Sequence, residues 1–219
     1  MKASDLFVKC LEAEGVTKIF GIPGEENADL MISLKKSKIE FVLCRHEQAA
    51  AFMADVYGRL TGKAGVCLAT LGPGVTNLMT GLADANMDRA PVVAIIGQGS
   101  TERLHKESHQ IMDSISMVAP ISKWAQTILS AKNVTEVVRK AFKVAETEKP
   151  GVTVIELPED VAKEEVNENP IKPSLIRRPA ADYRAVNEAI ELIISAKNPI
   201  ILAGNGTIRK RASHRLRTL

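Results

Sequence analysis

The chain has 219 residues, 45% of them hydrophobic, with 29 basic side chains against 26 acidic ones. That length holds one full α/β domain and a remainder, and a net charge of +3 gives no reason to invoke nucleic acid or a membrane surface as partner. No apolar run approaches the roughly 18 residues of a membrane span, and Cys10, Cys44 and Cys67 show neither metal-ligand nor C-x-x-C spacing.

The cysteines lie among apolar neighbours, as buried reduced thiols do. Lys2 is followed by an amphipathic pattern rather than a signal-peptide core. Both features predict a soluble, cytoplasmic protein.

In chain order, the first element reads as a helix. Leu6, Phe7, Cys10 and Leu11 recur at helical spacing, with Ser4 as N-cap and Gly15 as stop. A short strand follows at 18–20, then the loop GIPGEEN, a helix over 28–36 and the strand IEFVLC over 39–44. HEQAAAFMADVYGRL is a second strong helix, with Ala50, Met53, Val56, Tyr57 and Leu60 on one side. GVCLAT (65–70) and PVVAIIG (91–97) are apolar on both faces, as strands of a parallel sheet covered by helices on both sides are. Between them GPGVTNLMTGLADANM is a glycine-rich turn entering a helix. A helix over 134–146 and the strand GVTVIEL (151–157) complete the series. The repeated β-α order predicts an α/β fold built on a doubly wound parallel sheet.

The first domain is expected to span 1–165. Residues 166–182 are charged and carry Pro170, Pro173 and Pro179, which suits a linker. A helix over 184–196 and the strand PIILAGNG then begin a second α/β unit over 183–219, shorter than the roughly 40 residues an independent core needs. The chain is therefore expected to stop inside that unit. Its last eleven residues, RKRASHRLRTL, read as a solvated basic end.

Three glycine loops, GPGVTN, GQGSTE and GNGTIR, each lack the third glycine of a dinucleotide fingerprint. GRLTGKA is one residue short of a phosphate loop, and Ala64 follows its lysine where Ser or Thr is required. Taken alone these are tight strand-to-helix turns. Glu47 is more informative: it opens an apolar helix just past a buried strand, at the end of the sheet where α/β proteins bind ligands. The plain alternative is a first-turn carboxylate complementing the helix dipole, with His46 as a polar cap.

The run RHEQAAAFMADVYGRLTGKAGVCLATLGPGVTNLMTGLADANMDRAPVVAIIGQ, with GIPGEEN before it and SHQIMD, PISKWA and KPGVTVIELPEDV after it, resembles the pyrimidine-binding domain of the acetolactate synthase family. The likeness extends from about residue 3 to residue 206, in order. It implies the thiamine diphosphate-binding fold, with residues 183–219 as the incomplete start of a central domain.

By that resemblance Glu47 is the catalytic glutamate that hydrogen-bonds a ring nitrogen of the cofactor's aminopyrimidine. The bond favours an imino tautomer whose nitrogen removes the thiazolium proton. Pro23 and Gly24 match the turn that approaches the thiazolium, and Pro73 and Asn77 match positions near the aminopyrimidine. Gln110 matches a glutamine that reaches the active centre and the cofactor, His109 and Gln110 match a pair at the substrate site, and Lys123 matches a lysine of the same region. For Gln110 and Lys123 the plain readings, a loop polar residue and a surface lysine, stay open. The cofactors implied are thiamine diphosphate and magnesium, whose ligands belong to a diphosphate-binding domain not present here; no metal site is expected in this chain.

Two departures lean away from FAD. His109 stands where anabolic members have phenylalanine, and Lys149 where they have a flavin-contacting arginine; lysine lacks the planar fork. Both favour the catabolic, flavin-independent branch. The implied reaction condenses two pyruvates to 2-acetolactate with loss of CO2, in a homodimer or homotetramer. The alternatives are another thiamine diphosphate-dependent carboligase or 2-oxoacid decarboxylase, and a dimerising fragment without catalysis. Glyoxylate-condensing relatives lack the glutamate, so Glu47 argues against them.

Overall fold

A computed structural model describes residues 1–174, 180–207 and 212–218. Pro179 of the linker, Ile208 and Arg209 of GNGTIR, and Arg209, Lys210, Arg211 and Leu219 of the basic end lie outside the described residues. The chain divides into two compact units, Met1–Ile176 and Arg177–Leu219.

The first unit runs α1 (Ala3–Ala13), β1 (Lys18–Gly21), α2 (Ala28–Lys35), β2 (Glu40–Leu43), α3 (Glu47–Thr61), β3 (Gly65–Ala69) and α4 (Pro73–Met87). It continues with β4 (Val92–Gln98), α5 (Ser114–Val118), β5 (Trp124–Thr127), α6 (Val134–Glu146), β6 (Val152–Pro158) and α7 (Glu159–Lys163). The six strands form one sheet in the order β2-β1-β3-β4-β6-β5, and every pairing is parallel. It is the doubly wound α/β fold that the sequence predicts.

Every residue of β3, β4 and β6 is buried, because alternate side chains enter two separate cores. Val66, Leu68, Val93 and Ile95 face α1, α2 and α6, while Cys67, Ala69, Ala94 and Ile96 face α3 and α4. Strands covered on both sides have no polar face, which is why they read as continuous apolar runs.

Two local expectations are corrected. Ser4 lies inside the first turn of α1, buried, and its Oγ accepts from the Ser33 hydroxyl at 3.0 Å; Lys2 takes the N-cap position without a side-chain cap. The buried face of α3 is Glu47, Ala50, Ala51, Ala54, Asp55 and Gly58, and Met53, Val56 and Leu60 are exposed, Leu60 by 82%. Small residues won the inner face because α3 packs closely on α4 and the sheet. β5, a half-exposed edge strand, has no apolar pattern to announce it.

The second unit holds α8 (Tyr183–Ser195) and α9 (Ala212–Arg217). The strand expected at PIILAGNG does not form: 199–204 carry no ladder, and Asn205–Thr207 form a short 3-10 turn. A strand exists only through a ladder to a neighbour, and among the described residues nothing pairs with this segment.

Candidate functional site

The order of strands decides where the site lies. From β1 the chain passes to β2 on one side, while β3 pairs with β1 on the other. The loops leaving β1 and β3 therefore diverge from adjacent strand ends, the topological switch point at which open α/β sheets hold ligands. Those loops are GIPG and LGPG.

Gly24, in the first, is extended, and a Cβ there would stand 2.6 Å from the Thr70 side chain. Only glycine lets the two loops approach this closely. The Thr70 hydroxyl donates to Glu26 Oε2 at 2.7 Å, and the Gly24 N–H donates to Asn27 Oδ1 at 2.8 Å, so the turn is tied down at both ends. Pro23 beside it is exposed.

In the second loop Gly72 has φ +54°, a conformation that disfavours any Cβ, and Pro73 occupies the first turn of α4, where its missing N–H costs nothing. Gly72 lies against the backbone of Gln110: a Cβ would meet that carbonyl oxygen at 2.7 Å. Gln110 is exposed, with φ +53°. Its neighbour His109 is also exposed and, with Glu25, Glu26, Arg103 and Glu159, lines a hollow of about 300 Å³ beside the first loop.

Glu47 enters from the far side of β1, at the first residue of α3. His46 caps that helix, its Nδ1 accepting from the Gln48 N–H at 3.1 Å. The Glu47 carboxyl does not face bulk water: the residue is 9% exposed, and Oε2 accepts from Asn77 Nδ2 of α4 at 2.9 Å. Among the described residues its Oε1 accepts no hydrogen bond. A buried carboxyl with one engaged and one unengaged oxygen is suited to hold or pass a proton.

Residues 1–117 match the model of the family described as thiamine pyrophosphate enzyme, N-terminal TPP binding domain. The chain belongs to that family.

Among the proteins similar to this TPP-binding domain is the probable acetolactate synthase large subunit of Methanococcus aeolicus, 40% identical over 227 residues, covering 99% of the chain and 37% of the relative. The catabolic acetolactate synthase of Raoultella terrigena is 42% identical over 204 residues, covering 92% of the chain and 36% of the relative. The glyoxylate carboligase of Escherichia coli O157:H7 is 37% identical over 217 residues, covering 97% and 37%. The chain thus spans well under half the length of these relatives.

In the TPP-binding domain Glu47 and Asn77 meet directly, Gly24 meets Thr70, and Gly72 meets Gln110. Lys123 is not among them. It immediately precedes β5, and in an all-parallel sheet the starts of strands lie at the edge opposite their ends. Its ammonium instead donates to the carbonyls of Val144 and Thr147, the latter at 3.0 Å. There it complements the C-terminus of α6, and burial lowers its pKa below the usual lysine range. The expectation that Lys123 shares the region of Gln110 is corrected to a helix-terminus lysine.

Sequence reasoning passed over Thr70 and Glu26, the pair that ties the loops together; their one signal was a polar residue directly after a buried strand and an acid within GIPGEEN. It also passed over Glu156, an acid in the apolar run of β6. Glu156 is buried, accepting from Gln98 Nε2 at 3.0 Å and the Thr127 hydroxyl at 2.6 Å, and it lines a cavity of about 420 Å³ under residues 104–115. Among the described residues no group of three or more His, Cys, Asp or Glu is placed to hold a metal ion, and no helix is long and apolar enough to cross a membrane.

Proposed function

We propose that this chain is the pyrimidine-binding part of a thiamine diphosphate-dependent acetolactate synthase, which condenses two pyruvates to 2-acetolactate with loss of CO2. The observation that carries the reading is the buried Glu47 carboxyl, held by Asn77 and open at Oε1, beside the switch point of the sheet. The site fits the aminopyrimidine of the cofactor. Ile22 and Val75 belong to the apolar core on this face, and one carboxyl oxygen of Glu47 is unengaged. Thiamine diphosphate, when bound, supplies the carbanion chemistry.

The chain's own residues orient the ring and handle one proton. Glu47 holds or releases a proton at Oε1, which an amide cannot do. Gly24 and its tie through Glu26 to Thr70 fix the distance between the two loops. The apolar floor excludes water and strengthens the hydrogen bond that Glu47 makes. Gln110, and His109 at the adjoining hollow, are the residues of this chain nearest in sequence register to a substrate-facing role.

The complete protein is read as a cytoplasmic homodimer or homotetramer, with the magnesium ligands in a diphosphate-binding domain and residues 183–219 as the start of a central domain. Lys149 and His109 favour its flavin-independent branch. That a relative is named glyoxylate carboligase supports a second carboligase reading, against which Glu47 counts.

The test is Glu47→Gln in this chain joined to a diphosphate-binding domain. Loss of one acid–base group costs about 10²–10⁴-fold, and acetolactate formation is expected to fall by that order. Near-normal turnover would remove Glu47 from the chemistry. The unmodified 219-residue chain assayed alone is expected to form no acetolactate.

A further inference from the structure

We propose that Asn77 is the positioning residue for Glu47, engaging Oε2 so that Oε1 alone is left to a ligand, and that the contact between Ala51 and Gly81 sets the helix separation that makes this possible. The inference rests on the proposed role of Glu47.

A glutamate side chain has three rotatable bonds, and its carboxyl oxygens exchange by a half-turn of the last. Left free, such a group presents either oxygen in several places. The 2.9 Å bond from Asn77 Nδ2 to Oε2 removes that freedom, and it is made by a neighbouring helix, not by the glutamate's own. Its length therefore depends on how closely α3 and α4 pack.

That packing is set one turn further along. Ala51 lies four residues after Glu47, and Gly81 four residues after Asn77, so the two pairs are successive contacts along the same helix–helix seam. At the second contact a Cβ on Gly81 would stand 2.6 Å from Ala51 Cβ, 3.1 Å from the Phe52 backbone nitrogen and 3.2 Å from the Gln48 carbonyl oxygen. Two of those three neighbours are backbone and cannot swing aside. Any side chain at 81 separates the helices, and the Asn77–Glu47 bond lengthens with them.

The experiment follows the Glu47 side chain by isotope-edited NMR in the 219-residue chain, without cofactor, so that its failure is separate from failure of the Glu47→Gln test. In the native chain the Glu47 couplings are expected to report one dominant rotamer. Asn77→Ala is expected to average them. Asn77→Asp, which offers no N–H to Oε2, is expected to average them as well. Gly81→Ala is expected to reproduce the averaging of Asn77→Ala. Should Gly81→Ala fail to fold, the two Asn77 variants decide alone. Unchanged couplings in Asn77→Ala or in Asn77→Asp overturn the proposal.

In the assembled enzyme Asn77→Ala is expected to lower kcat about tenfold with little change in KM, as loss of one orienting hydrogen bond does. A change confined to KM overturns the positioning role. If Glu47→Gln is neutral while the NMR outcomes hold, the reading of the site falls and the clamp stands.

Discussion

Burial has set the chemistry of single side chains away from the site. Desolvation pushes the Cys67 and Cys10 thiols up to about 12 and raises that of Cys44; since the thiolate is the reactive form, the folded chain is expected to react negligibly with a thiol-specific disulfide reagent at pH 8. All three thiols are expected to titrate once urea unfolds it, and a rapid native reaction at any one would contradict their burial. Glu156 behaves in the same sense. Desolvation raises its pKa, against the lowering effect of the bonds from Thr127 and Gln98. A folded-state pKa above the unfolded value means that the native chain binds the extra proton. Its stabilising contribution is then present below the unfolded value of about 4.3 and is lost as pH rises through the folded pKa. Glu156→Gln is expected to gain on the native protein in urea midpoint as pH goes from 4 to 8. A difference that is constant with pH would show that the carboxyl does not titrate as its burial requires.

Elements are joined by a few nearly buried charges as well as by apolar packing. Arg139 of α6 reaches Glu14, just past the end of α1, with Nη1 at 2.6 Å from Oε1. The two side chains are 13% and 6% exposed. Burial keeps the Glu14 pKa above its ordinary value in spite of the guanidinium, so an unpartnered Glu14 is a poor alternative. Arg139→Ala is expected to cost about 3–5 kcal/mol in urea unfolding, and Arg139→Met with Glu14→Leu appreciably less, since the second leaves no buried charge behind. Equal losses in the two variants would mean that shape, not charge, fails when Arg139 is removed. On the other side of the sheet Arg59 of α3 binds Asp55 at 2.8 and 2.7 Å and Asp84 of α4 at 3.0 Å. It holds the C-terminal halves of the two helices whose N-terminal halves carry Glu47 and Asn77.

Across the whole molecule, one parallel sheet is sealed by two cores whose buried members all lie between Ala3 and Val166. A chain of residues 1–174 is therefore expected to unfold in a single cooperative transition, with the fluorescence of Trp124 and the far-ultraviolet signal coincident. Broad or non-coincident transitions would show that the cores depend on residues beyond 174. Among its described residues the second unit has no counterpart to these cores: Ile194, Ile200 and Leu202 are exposed. The full chain is accordingly expected to bind more of a hydrophobic dye than residues 1–174.

By itself the sequence determined what depends on neighbours along the chain. The continuous apolar runs of β3, β4 and β6, the helices alternating with them, and the glycine–proline turns gave the class of fold, because side-chain periodicity is a local property. The family likeness pointed to Glu47. Only the tertiary structure decided which groups meet. It set Asn77 against Glu47 and Thr70 against Glu26, moved Lys123 to the opposite edge, inserted β5 where no pattern marked it, and left PIILAGNG unpaired. The pairings, the place of Lys123 and β5 follow from strand order and helix separation, which are fixed by contacts between residues far apart in sequence, and PIILAGNG has no ladder among the described residues.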